Sequence, residues 1–117
     1  MRIAGDERGF ATVAGAFVVA ALAGLVVLIV LAGAAVSARH HAQSAADLAA
    51  LAAAQSLVLG EADPCREAEA IAGRMDVAVA SCAPDGDDVV VSVTAGVDLG
   101  PLGSREALAS ARAGPVD

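Results

Sequence analysis

Residues 9–38 read GFATVAGAFVVAALAGLVVLIVLAGAAVSA, thirty positions without a charged side chain, fenced by Arg8 and Arg39. About 20 apolar residues cross the hydrocarbon core of a bilayer as a helix, and an uncharged run of 18 or more is a transmembrane candidate. Lipid offers backbone groups no hydrogen-bond partner, so a lone segment of this kind has to be helical. The other 87 residues of the 117 have too little apolar surface to wrap it as a buried core helix. The run therefore predicts one membrane span over residues 10–38, with residues 1–9 as a short, unstructured charged leader.

Charge divides the chain in the same way. Up to residue 60, Asp6, Glu7 and Asp47 balance Arg2, Arg8 and Arg39; beyond it eleven acids face four arginines, which accounts for the whole net charge of −7. An acidic domain repels nucleic acid and anionic lipid. It also has no aromatic side chain for stacking on single strands, so nucleic acid is excluded as a partner. Arg2, Arg8 and the amino group outnumber Arg39, which places the N-terminus in the cytoplasm by the positive-inside rule. Val36-Ser37-Ala38 offers small residues for signal cleavage, which would release a small secreted protein. However, a signal's apolar region is about 7–15 residues, half the length found here.

Within the span, Ala16, Ala20 and Gly24 recur every four residues and form a ridge of small side chains. In lipid, helices associate through close backbone approach at such ridges. After Arg39 the sequence HHAQSAADLAALAAAQSLVLG lacks proline and internal glycine and is rich in alanine and leucine, so the helix is expected to continue to Leu59. Leu48, Leu51, Gln55 and Val58 or Leu59 lie along one side, and Arg39, Gln43 and Asp47 along another. Gly60 is the expected stop. This alanine-rich portion, residues 39–60, is thin and has to pack closely against something.

Residues 61–117 read as a small α/β domain. Asp63-Pro64 starts a helix, with the acid at the N-cap and proline at the first position. Cys65, Ala68, Ile71, Ala72 and Met75 give that helix an apolar stripe. DVAVASCA (76–83) and DVVVSVTA (88–95) read as two strands of a hairpin turned by Pro84-Asp85-Gly86. The acids Asp85, Asp87 and Asp88 crowd the turn without the glutamate of a calcium loop, and read as solvated. Residues 104–113, SREALASARA, satisfy local rules for a helix, while residues 107–113 also suit a third strand. Cys65 and Cys82 are the only cysteines. Outside the cytoplasm a lone pair of this kind is bridged. A redox site would want C-x-x-C, and a zinc site more ligands.

No arrangement of residues supports catalysis or a cofactor: there is no G-x-S-x-G, no H-E-x-x-H and no phosphate loop. His40 and His41 are adjacent on a helix, point about 100° apart and read as headgroup contacts or solvated side chains. The fold class expected is α+β: a long N-terminal transmembrane helix extended beyond the membrane, then a small helix and an antiparallel hairpin, with or without a third strand.

The order of a charged leader, ERG–FATVAGAF, a long apolar helix, ARHHAQSAADLAALAAA and a cysteine-bearing tail resembles the TadE-like proteins of actinobacteria. These are minor pilins or pseudopilins of tight-adherence (Flp-type) pilus and secretion machines. The resemblance implies a pilin-like, non-enzymatic membrane subunit whose partners are other pilin-like subunits and a prepilin-type peptidase that cuts between Gly9 and Phe10. It also tilts the tail towards a third strand. One position departs from the pattern: Ala14 stands where pilins typically carry glutamate five residues into the mature chain. A minor, capping or priming role therefore fits better than a major subunit. The alternative is a single-span accessory or anchor subunit of another membrane complex.

Overall fold

The computed structural model describes residues 2–116, with side chains from Glu7 onward. Five elements of regular structure and one short 3-10 turn follow one another. They are helix α1 (Arg2–Val58), helix α2 (Pro64–Arg74) and strands β1 (Ala78–Asp85), β2 (Asp88–Asp98) and β3 (Ser104–Ala113), with the 3-10 turn at Gly100–Leu102. The class is α+β, as the sequence implies. The chain divides into two compact units, Met1–Gly33 and Ala34–Asp117. The described part of the first is helical throughout. Residues 2–9, expected to be unstructured, belong to α1. They contain no proline, and adding residues to an existing helix avoids the cost of nucleating a new one.

In the second unit the three strands form one antiparallel sheet in the order β1-β2-β3. Strand β2 alternates cleanly, with Val89, Val91, Val93, Ala95 and Val97 buried and the intervening positions facing outward. That is the period of two expected of a half-buried strand. Against this valine face lies a stripe of α1 made of alanine. Ala42, Ala45, Ala46, Ala49, Ala50 and Ala53 are all fully buried, and Ala68 and Ala72 of α2 complete the cluster. Their spacing of three and one is that of a single helical face. The unit has no aromatic residue, since both phenylalanines lie in the first unit. Its core is therefore thin, and small side chains let the backbones approach closely.

The side of α1 that packs is not its leucine side. Leu48, Leu51, Val58 and Leu59 are exposed. A leucine stripe would hold the helix further from the sheet than alanine does, and the alanines outnumber the leucines along this stretch.

Both helices end in the same way. Gly60 takes a positive φ of 75° after α1, with Gly60 N–H donating to Leu57 O and Glu61 N–H to Ser56 O. After α2, Asp76 takes a φ of 56°, with its N–H donating to Gly73 O and Val77 N–H to Ala72 O. Each pair of bonds is a Schellman closure. At the second site the apolar residue that follows, Val77, is buried in the core. Asp63 occupies the N-cap of α2 as expected, with proline inside the first turn, but its side chain makes no capping hydrogen bond.

The hairpin is displaced from its expected turn. The two turn residues are Gly86 and Asp87, while Pro84 and Asp85 lie in β1 opposite Val89 and Asp88. Gly86 has a φ of 64° and Asp87 is not in the positive region, the pattern of a two-residue type II′ connection. Pro84 is tolerated because β1 is an edge strand. The tail is strand, not helix. Its ten pairs with β2, from Asp98↔Ser104 to Val89↔Ala113, run without a bulge. Ala107 and Ala109 are buried and Ala111 and Ala113 partly so, which the local helix signals could not reveal.

Cys65 and Cys82 are joined by a disulfide with a Cα–Cα distance of 5.9 Å. It fastens the first turn of α2 to the middle of β1. On the chain-entropy model a loop of this length contributes about 3 kcal/mol, which matters in a small unit with a thin core.

Two outcomes test this packing. Ala49→Leu should cost about 1–3 kcal/mol through overpacking, measured by denaturant melting of the full chain in detergent. Leu51→Ala, on the exposed side, should change stability by less than about 0.5 kcal/mol. Cys82→Ser should lower stability by about 3 kcal/mol, and native wild-type protein should take up no thiol label.

Candidate assembly helix

The first unit displays apolar surface with nothing over it. A stretch of α1 reaches a mean hydropathy of 2.9, and none of it is buried. Phe10, Phe17, Leu22, Leu28 and Val30 are all more than half exposed. An uncovered apolar surface of this extent marks a site of contact with lipid or protein. By length and composition, α1 can cross a membrane.

Gly9 and Phe10 are consecutive exposed positions of α1, within its first turns. Thr12 Oγ1 donates back to the Arg8 carbonyl at 2.9 Å, an ordinary helical bond beside them. Ala16, Ala20 and Gly24 are exposed, and four-residue spacing keeps them on one face. A Cβ built on Gly24 meets nothing within 4 Å, so the position is open to a neighbour. The structure thus lines up the three ridge residues and joins the two cysteines.

In the second unit, polar side chains that the sequence did not single out in these roles fasten the elements together. His41 Nε2 donates to the Met75 carbonyl at 2.5 Å, tying α1 to the end of α2. Exposed as expected, it is also a structural donor. Gln43 Nε2 donates both to Asp47 Oδ1 at 3.0 Å and to the Ser110 carbonyl of β3 at 3.2 Å. Ser92 and Ser110 share a hydroxyl bond of 2.6 Å across the outer face of the sheet. The acids at the hairpin are not merely solvated. Arg112 Nε donates to Asp88 Oδ2 at 2.8 Å and Arg112 Nη2 to Asp85 Oδ2 at 2.5 Å. The Asp88 bond, then the Asp85 bond, raise the Arg112 pKa above its ordinary value. Exposed pairs of this kind contribute little to stability. Their role is to fix the end of β3 against the hairpin. Strand pairing alone placed Arg112 beside those acids, and without β3 it could not be found.

Among the described residues no group of three histidine, cysteine or acidic side chains is placed to hold a metal ion. The grooves of the second unit are shallow and lined by alanine, valine and scattered polar residues.

Comparison with known proteins gives one match. Residues 9–56 fit the family model described as "Putative Flp pilus-assembly TadE/G-like". The match begins at Gly9, takes in the uncovered apolar stretch and the buried alanine face, and stops before α2 and the sheet. No curated protein and no solved structure matches the chain. Over residues 9–56 the chain is similar to this TadE/G-like family, and its apolar helix is long enough to cross a membrane.

Proposed function

We propose that the protein is a non-enzymatic minor pilin or pseudopilin of a Flp/Tad-type pilus or secretion apparatus, anchored in the membrane and assembling through α1. One observation carries the reading. The TadE/G-like match coincides with a helix whose apolar window is wholly uncovered. A soluble protein does not leave such a surface in water. The N-terminus lies in the cytoplasm, where more of the flanking positive charge is found. The second unit lies outside it, in the compartment where a Cys65–Cys82 bridge persists. A prepilin-type peptidase cuts between Gly9 and Phe10, and other pilin-like subunits dock on the ridge of Ala16, Ala20 and Gly24.

Ala14 leaves the mature chain without the carboxylate that would meet a neighbouring subunit's amino terminus. That favours an accessory place in the assembly over that of its repeating subunit.

Mass spectrometry of membrane-purified protein from cells with an active peptidase should find Phe10 at the N-terminus. An intact leader would instead identify a plain single-span anchor, and a chain beginning at Arg39 a secreted product. The ridge has its own test. Gly24→Leu adds bulk where a neighbouring helix approaches, while keeping the segment apolar. It should abolish crosslinking to partner subunits without lowering the amount of protein in the membrane. Ala21→Leu, about 100° round the helix from Ala20 at the middle of the ridge, should leave crosslinking intact. Equal effects of the two substitutions would remove the ridge from the proposal.

A further inference from the structure

The connection between β2 and β3, residues 99–103, leaves no backbone N–H free. Leu99 N–H donates to Gly103 O at 2.9 Å, Gly103 N–H to Gly100 O at 3.0 Å and Leu102 N–H to Leu99 O at 3.3 Å. Gly100 N–H donates to Asp98 Oδ1 at 2.8 Å, and Pro101 has no N–H to satisfy. A loop that stays in water has no need of this, because water takes up any free donor. A loop that leaves water does need it, since each unpaired polar group then costs free energy. The same loop shows Leu102 to its surroundings, 64% exposed.

The place of this loop on the second unit is equally particular. One groove between α1 and the sheet sets Ala34 and Ala38 with Asp98, and another sets Ala35 and Arg39 with Leu99 and Arg105. The loop therefore stands level with residues 34–39 of α1, where the uncharged run of residues 9–38 gives way to Arg39. What surrounds residues 34–38 also meets the loop beside them, and on the membrane reading that is lipid. Charge suits the position. Arg39 and Arg105 share the groove of Leu99 with Glu106, while Asp76 and Asp98 line the other groove. Two arginines against three acids leave this end close to neutral. The hairpin at the opposite end sets Asp85, Asp87 and Asp88 against Arg112.

We infer that the loop of residues 99–103 is a second membrane contact, made beside α1 with the interfacial layer of a zwitterionic bilayer. Leu102 and Leu99 enter that layer, and Arg39 and Arg105 stand at the level of the lipid phosphates. An arginine there lays its stem along apolar surface and keeps its charged head in water. The closed backbone lets the loop enter without stranding a donor, and Leu102 supplies the apolar side chain that holds it. This inference rests on the reading of α1 as a membrane span.

The chain contains no tryptophan or tyrosine, so a single introduced tryptophan reports without background. Leu102→Trp, Leu25→Trp and Leu59→Trp are compared in the full chain, reconstituted in phosphatidylcholine vesicles. The vesicles carry nitroxide-labelled lipid, labelled either at the headgroup or deep in the acyl chains. Leu25 lies in the apolar run, and Leu59, 69% exposed, lies at the far end of the buried stretch of α1. Leu102→Trp should emit at shorter wavelength than Leu59→Trp. The headgroup label should quench it more than the acyl label does, at a depth of about 5–10 Å into the headgroup–acyl boundary. Leu59→Trp should emit as in water, which shows that tryptophan does not by itself draw the unit onto lipid. A water-like Leu102→Trp beside a quenched Leu25→Trp would overturn the loop contact and leave the span standing. An unquenched Leu25→Trp would overturn both. Equal quenching at positions 59 and 102 would also overturn the contact, because the unit would then lie along the surface rather than meet it with the loop.

Discussion

The contact between the alanine face of α1 and the valine face of β2 is what the rest of the second unit depends on. Alanine contributes little burial per residue, so the contact works by proximity. Six methyl groups in one stripe share a single buried cluster with the valines of β2. Helix α2 adds Ala68 and Ala72 to the same layer, and β3 adds its alternate alanines. A unit built so thinly needs help from outside its core, and the Cys65–Cys82 bridge supplies it by limiting the freedom of the unfolded chain.

The long helix joins two different kinds of surface chemistry. From Glu7 to Gly33 its side chains are mostly large and uncovered; from Ala42 its inner face is small and fully covered. The TadE/G-like match takes in both stretches and ends where α1 does, within two residues. The part of the chain with the recognisable pattern is thus the helix.

Much of this was legible in the residues. Length without charge exposed the apolar helix, Gly60 marked its end, and Asp63-Pro64 with the 65, 68, 72 spacing located α2 and its buried side. The cysteine pair followed from composition and compartment. What stayed hidden depended on tertiary contacts. SREALASARA has helical propensity throughout, and only the free edge of β2 and the alanine face above it make a strand of it. The turn moved two residues because Gly86, the residue able to take a positive φ, had to be the first of two central positions rather than the last of three. That the alanine-rich portion packs closely was readable, but which of its sides meets the sheet was not, because that depends on what lies opposite. Of the candidate sites, the bridge was readable from the lone pair of cysteines. The roles of His41, Gln43 and Arg112 were not, because each reaches a partner more than twenty residues away in sequence.

A surface of alanine methyls facing valines is smooth, and smoothness has a mechanical consequence. Interlocking knobs resist sliding as well as separation; a smooth face resists chiefly separation. The axial register of α1 is then held by two polar pegs, His41 on the Met75 carbonyl at the end of α2 and Gln43 on the Ser110 carbonyl of the sheet, set two residues apart. Both stand towards the beginning of the buried stretch. A pull along the helix would therefore load those two pegs first, and they, not the apolar layer, set the force at which the helix begins to slip.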